Sequence, residues 1–170
     1  MSSTAEADTT SNDAKAYVPP KVWTWESKDD NKFAAINQPT AGARTDKELP
    51  VGKHPLQVYS MATPNGQKVT IFLEELLLAG VKEAEYDAWM IDIMSQDQFT
   101  SGFVHVNPNS KIPALMDHTN TDKPENVFES GAILLYLADK FQGHNFLPAA
   151  QRTQVLNWLF WQMVSYIFFF

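Results

Sequence analysis

No cysteine occurs anywhere in the 170 residues, which excludes disulfides, thiolate metal sites and any cysteine nucleophile supplied by the chain itself. The same absence fits a reducing compartment, so the cytoplasm is the expected location and no metal is expected. Basic charge is also scarce: 13 Lys and Arg stand against 20 Asp and Glu, a formal net charge of −7. Phosphate backbones are gripped by clustered Lys and Arg, so no nucleic-acid partner is expected. The N-terminal MSSTAEADTTSNDAKA lacks the apolar stretch of a signal sequence, and its acids argue against a mitochondrial presequence. Nothing before residue 155 could span a bilayer, and a membrane partner is not expected. What is present is 44% hydrophobic residues, enough for a packed core. The length gives room for one domain and part of another.

Residues 1–16 read as a disordered tail. Residues 17–54 form an arm with little periodicity, ordered because Trp23, Trp25 and Phe33 need apolar surface to cover; a loose linker is the alternative. Residues 55–141 carry regular structure. LQVYS (Leu56 to Ser60) alternates as a strand does. Gly66 to Ala79 spaces Val69, Phe72, Leu73, Leu76 and Leu77 on one helical face, and Gly80 ends it. AEYDAWMI is a second strand, with Glu85 and Asp87 alternating against Tyr86 and Ala88. Ser95 to Val104 reads as a short helix at most, and KIPALMD and NVFE as two short strands. Ser130 is placed to cap a helix that buries Ile133, Leu134, Leu137 and Phe141. After the break at GHNFLP another helix starts near Arg152.

The order is strand, helix, strand, loop, strand, strand, helix, with Pro113 at the start of the third strand. Proline cannot donate to a central ladder, so Ile112–Pro113 is expected to be cis and to leave backbone exposed to a ligand; a trans proline on an edge strand is the alternative. That combination is the thioredoxin-like α/β arrangement. The quoted turn between first strand and helix, MATPNGQKV, offers Thr63, Pro64, Asn65 and Gly66. By composition alone it is a favourable turn.

Several runs resemble the nu-class (YghU-type) glutathione transferases. They are VWTWESKDDNKFAAINQPTAGARTDKELPVGKHPLQVYSMATPNGQKVTIFLEELLLAGV, EYDAWMIDI, DQFTSGFVHVNPNSKIPAL, VFESGAILLYLADKF and NWLFWQ. The likeness runs from about Tyr17 to Met163, and the Trp-rich arm and the TPNG turn make the subgroup specific. The resemblance implies glutathione as cosubstrate, small disulfides or electrophiles as substrates, and a homodimer for the full-length family. It implies a thioredoxin-like domain followed by an all-α domain.

It also implies roles for residues. The helix N-terminus after Glu129 would hold the γ-glutamyl carboxylate, with Ser130 donating and Glu129 accepting from the ligand ammonium. The cap reading of Ser130 remains open on local rules. The Ile112 backbone, beside Pro113, would pair with the cysteinyl unit. Asn37 and Gln98 would reach the peptide, and Lys111 would neutralise the glycyl carboxylate. Thr63 and Asn65 would be the catalytic pair, donating to the glutathione sulfur beside Pro64. The chain would thus reduce disulfides through a thiolate it stabilises and does not supply. A glutathione-fold binding or regulatory module is the alternative, although residues 1–16 lack the Asn/Gln-rich character of the fungal regulators that share the fold.

The family continues after WLFWQ with further helices, whereas this sequence ends VSYIFFF. Residues 142–163 are expected to be a linker and the first helix of the all-α domain, its apolar face without a partner, and 164–170 an aberrant tail. Activity and dimerisation of such a truncated chain are expected to be impaired. A tail anchor is disfavoured, because Val155 to Phe170 falls short of the ~20 residues needed to span a bilayer. A genuine short isoform and a gene-model artefact remain. The artefact is preferred because Val164-Ser165 is what a read-through splice donor would encode.

Overall fold

The structure, a computed structural model, describes residues 17–22, 36, 41–142 and 145–165. Strand β1 (Leu56–Ser60) lies in the middle of a four-stranded sheet ordered β2-β1-β3-β4. It runs parallel to β2 (Tyr86–Met90) and antiparallel to β3 (Ala114–Asp117), which pairs antiparallel with β4 (Glu125–Phe128). The parallel step needs a crossover, supplied by helix α1 (Pro64–Leu78). Helix α3 (Ser130–Lys140) follows β4. The thioredoxin-like order is therefore present, and Ile112–Pro113 is cis.

Period-two alternation divides the core. Leu56 and Val58 face α1 and α3, where they meet Val69, Leu73, Leu76, Ile133 and Leu137, all fully buried. Tyr59 faces the other layer with Phe103 and Val106 of helix α2 (Ser101–Val106) and Leu49 of the preceding segment. Gln57 is also fully buried there. Its Oε1 accepts from Gly52 N at 2.8 Å and Trp89 Nε1 at 2.7 Å, and its Nε2 donates to the His54 carbonyl and to Asp87. Asp87 is thus drawn inward while Ala88 is exposed, the reverse of expectation for that pair, whereas Glu85 is exposed and Tyr86 packs on the core as expected. A polar network around Gln57 outweighs the apolar pattern on this edge strand.

Part of the described arm is tied to the domain. Thr45 bridges Thr100, the Thr45 and Lys47 carbonyls accept from Ser101 N and Gly102 N, and Lys47 pairs with Asp97 at 2.8 Å. Trp23, Trp25, Phe33 and Asn37 lie outside the described residues. The turn-to-helix boundary differs from expectation: α1 begins at Pro64, not Gly66, because proline fits the first helical turn. Its C-terminal end is as expected, with Gly80 at φ +90°. Helix α4 (Arg152–Ser165) starts where predicted, but part of it is packed. A Cβ on Gly131 would lie 3.3 Å from Met163, so the missing side chain lets α4 rest on α3. Trp158, Phe160 and Trp161 stay exposed. No helix of the described residues is long and apolar enough to cross a membrane.

Candidate functional site

The α1 N-terminus is built by Thr63, whose Oγ1 accepts from Gly66 N at 3.2 Å and caps the helix. Gly66 is required by space: a Cβ there would sit 2.2 Å from the Met61 carbonyl and 2.4 Å from Ser60 Oγ. The turn is thereby folded tightly over the end of β1. Asn65 is half-buried, and its Oδ1 accepts from Lys68 Nζ at 2.8 Å. Lys68 also donates to Gln162 Oε1 of α4, and burial holds its ammonium below the usual lysine range. Tyr59 is no substitute donor here. Its hydroxyl is committed to the Pro50 carbonyl at 2.8 Å, and burial pushes its pKa up to about 12.

The cis Ile112–Pro113 bond lies between the two helix N-termini. Ala114 pairs with Tyr59 on one side and with Phe128 on the other, so one step further Pro113 falls beside Ser60 and Glu129. Asn107 holds the loop that presents these residues. It is fully buried, donates to the Lys111 carbonyl at 2.6 Å and accepts from Asn109 N at 2.9 Å. Burial lowers the Lys111 pKa, and the nearby Glu129 carboxylate opposes that shift, which brings the two charges into one neighbourhood.

Glu129 has φ 71°, a backbone region that non-glycine residues rarely occupy and that concentrates at functional sites. It is also the N-cap of α3, with no side-chain capping bond. Ser130 is therefore not the cap that local rules predicted. It is the first helical residue, 2% exposed, and its hydroxyl donates to Met163 Sδ at 3.3 Å. Consecutive residues of α4, Gln162 and Met163, thus touch the α1 and α3 ends of the site.

The structure gathers Thr63, Pro64 and Asn65 at one helix end, and Lys111, Ile112, Pro113, Glu129 and Ser130 at the other. Gln98 is not tied to either group. It is 1% exposed, donates weakly to the Ile93 carbonyl at 3.4 Å, and its Oε1 has no partner among the described residues. Lys68, Asn107, Gln162 and Met163 are additions. The Asn65–Lys68 spacing of one helical turn and the Asn-Pro before the loop could have signalled the first two. The contacts of Gln162 and Met163 are tertiary and leave no local signal.

Residues 54–139 match the family described as "Glutathione S-transferase, N-terminal domain". The chain is 65% identical over 147 residues to the disulfide-bond oxidoreductase YghU of Escherichia coli, covering 85% of this chain and 50% of that protein. It spans about half the length of the curated relatives it matches. Among solved structures, the glutathione transferase YghU from Streptococcus pneumoniae, complexed with glutathione, superposes with TM-score 0.78 at 56% identity. That match covers 87% of this chain and 56% of the other. A glutathione transferase from Burkholderia graminis, with two glutathione molecules per subunit, gives TM-score 0.55 at 44% identity, covering 65% and 44%. With the cis proline between two helix N-termini and the TPNG turn in place, the chain belongs to the glutathione S-transferase family, in its YghU-type branch.

Proposed function

We propose that this chain carries the glutathione-binding part of a glutathione-dependent transferase that reduces small disulfides. What carries the reading is the state of the donors at the α1 N-terminus. The Thr63 oxygen already accepts from Gly66 N–H, which leaves the hydroxyl proton for another acceptor. Capping the helix and donating to sulfur are therefore compatible uses of one side chain. Asn65 adds an amide donor, and the helix end adds a positive dipole.

A glutathione thiol titrates near ~8.5 when unperturbed, leaving a few per cent thiolate at neutral pH. Lowering that by one to two units takes about 1.4 to 2.7 kcal/mol, within reach of two such donors. The thiolate attacks one sulfur of a disulfide; the sulfur–sulfur bond breaks, a thiolate leaves, and a mixed disulfide with glutathione forms. A second glutathione thiolate attacks the glutathione sulfur of that mixed disulfide, releasing the remaining thiol and glutathione disulfide. No protein cysteine takes part. The relative that holds two glutathione molecules per subunit supports room for such a sequence.

Binding would use the α3 N-terminus with Ser130 for the γ-glutamyl carboxylate, Glu129 for the ammonium and the Ile112 backbone beside Pro113 for the cysteinyl unit. Lys111 would take the glycyl carboxylate, with Gln98 and Asn37 completing the site. A cytoplasmic homodimer belongs to the same reading. Turnover of hydroxyethyl disulfide with glutathione by the pure chain tests it. Slow but measurable reduction that slows further in Asn65→Ala is the expected result, and binding of glutathione without turnover leaves a binding module instead.

A further inference from the structure

We propose that Lys68 is a positioning residue of the sulfur site, orienting the Asn65 amide and tying it to helix α4 through Gln162. The inference rests on the glutathione reading above and adds a part to it. An ammonium can only donate, so the Asn65 atom 2.8 Å from Lys68 Nζ must be the amide oxygen. The two ends of an asparagine amide are nearly equal in shape, and nothing but hydrogen bonding decides which way they point. Lys68 decides it here: with Oδ1 engaged, the NH2 end is turned away from the lysine and is available to an anion. Reversed, the same side chain would present an oxygen to a thiolate, and repulsion would replace stabilisation.

The lysine is itself held. Asn65 and Lys68 sit one turn apart on α1, so their side chains share a face. On the opposite side Lys68 donates to Gln162 Oε1, which by the same logic fixes the glutamine amide. That orientation leaves Gln162 Nε2 buried with no partner among the described residues. A buried, unpaired donor is costly, so the orientation persists because the lysine imposes it. Burial also depresses the Lys68 pKa, as expected for an ammonium kept half out of water to serve a fixed contact. The chain Gln162–Lys68–Asn65 links α4 to the proposed sulfur site.

The test is a pH titration of thiolate absorbance for glutathione bound to the 170-residue chain and its variants. Asn65→Ala sets the scale. Lys68→Met is expected to raise the bound thiol pKa by about half a unit or more, with a severalfold slower disulfide reduction at neutral pH. Lys68→Arg, also donor-only, is expected to restore most of it. Gln162→Leu, which leaves α1 intact, should shift the pKa in the same direction but less. The double variant Lys68→Met with Asn65→Ala should be no worse than Asn65→Ala alone, since the lysine acts through the asparagine. Additive shifts overturn the proposal, because Lys68 would then act as an independent charge. So does a shift in Asn65→Ala with none in Lys68→Met and Gln162→Leu. A parent that leaves the thiol unshifted, with Asn65→Ala equally silent, instead overturns the glutathione reading itself.

Discussion

At its Asp117 end, strand β3 meets a closed set of hydrogen bonds; at its Pro113 end it meets a cis proline and a helix start in a rare backbone conformation. Asp117 is 2% exposed and accepts from Lys140 Nζ at 2.8 Å, the Tyr136 hydroxyl at 2.7 Å and Thr119 N at 2.8 Å. Lys140 reaches it from the C-terminal turn of α3, where a cation also suits the helix dipole. At the other end of the same helix, Glu129 is in a rare backbone conformation and the Ser130 hydroxyl donates to a thioether. One strand and one helix therefore carry both a closed anchor and the proposed glutathione site. The difference teaches that polar groups at the anchor satisfy one another, whereas the backbone at the other end is held in a conformation that concentrates at functional sites.

The largest expected effect breaks the anchor. Lys140→Met leaves the Asp117 carboxylate buried without its cation, and should cost roughly 3 kcal/mol in urea denaturation. Glutathione binding by the folded fraction should be unchanged. Gly66→Ala strikes the site end through backbone collision, with a Cβ 2.2 Å from the Met61 carbonyl. A loss of about 1 to 3 kcal/mol is expected there. Calorimetry should show glutathione binding lost as well, since the turn must move. Asn65→Ala separates the two ends. Disulfide reduction should slow at least severalfold while stability changes by less than about 1 kcal/mol, since Asn65 is only half-buried in the first turn of α1.

The smallest effect is the acid response of the anchor. Burial alone would raise the Asp117 pKa, but its bonds to Lys140, Thr119 and Tyr136 win and hold it below the usual carboxylate range. A depressed folded-state pKa adds stability that is fully present above the unfolded value of ~3.9 and disappears as pH falls through the folded one. The melting temperature should therefore hold from neutral pH to about pH 5 and drop below about pH 4, less steeply in Asp117→Asn.

The sequence told most about elements whose period is clean. The buried face of α1, the alternation of β1 and the start of α4 could all be read from residue spacing. The cis Ile112–Pro113 bond was legible because a proline opening an internal strand has few other solutions. Misreadings fell where polar contacts decide. Asp87 points inward because Gln57, His54 and Gly52 surround it, and no period encodes that. Ser130 looked like a cap but stands one residue inside the helix, because Glu129 takes the left-handed conformation. The roles proposed for Thr63 and Asn65 rest on family resemblance, since the same four residues make an ordinary turn. Gln162 and Met163 come from far along the chain, so their part at the site could be seen only once α4 was placed.

The central claim is that the α1 N-terminus stabilises a thiolate the protein does not own. Titrating the thiol of bound glutathione, by its ultraviolet absorbance against pH, tests this most directly. The account predicts a pKa about one unit or more below the free value of ~8.5, rising back towards it in Asn65→Ala. A bound thiol that titrates like free glutathione in the parent chain would contradict it.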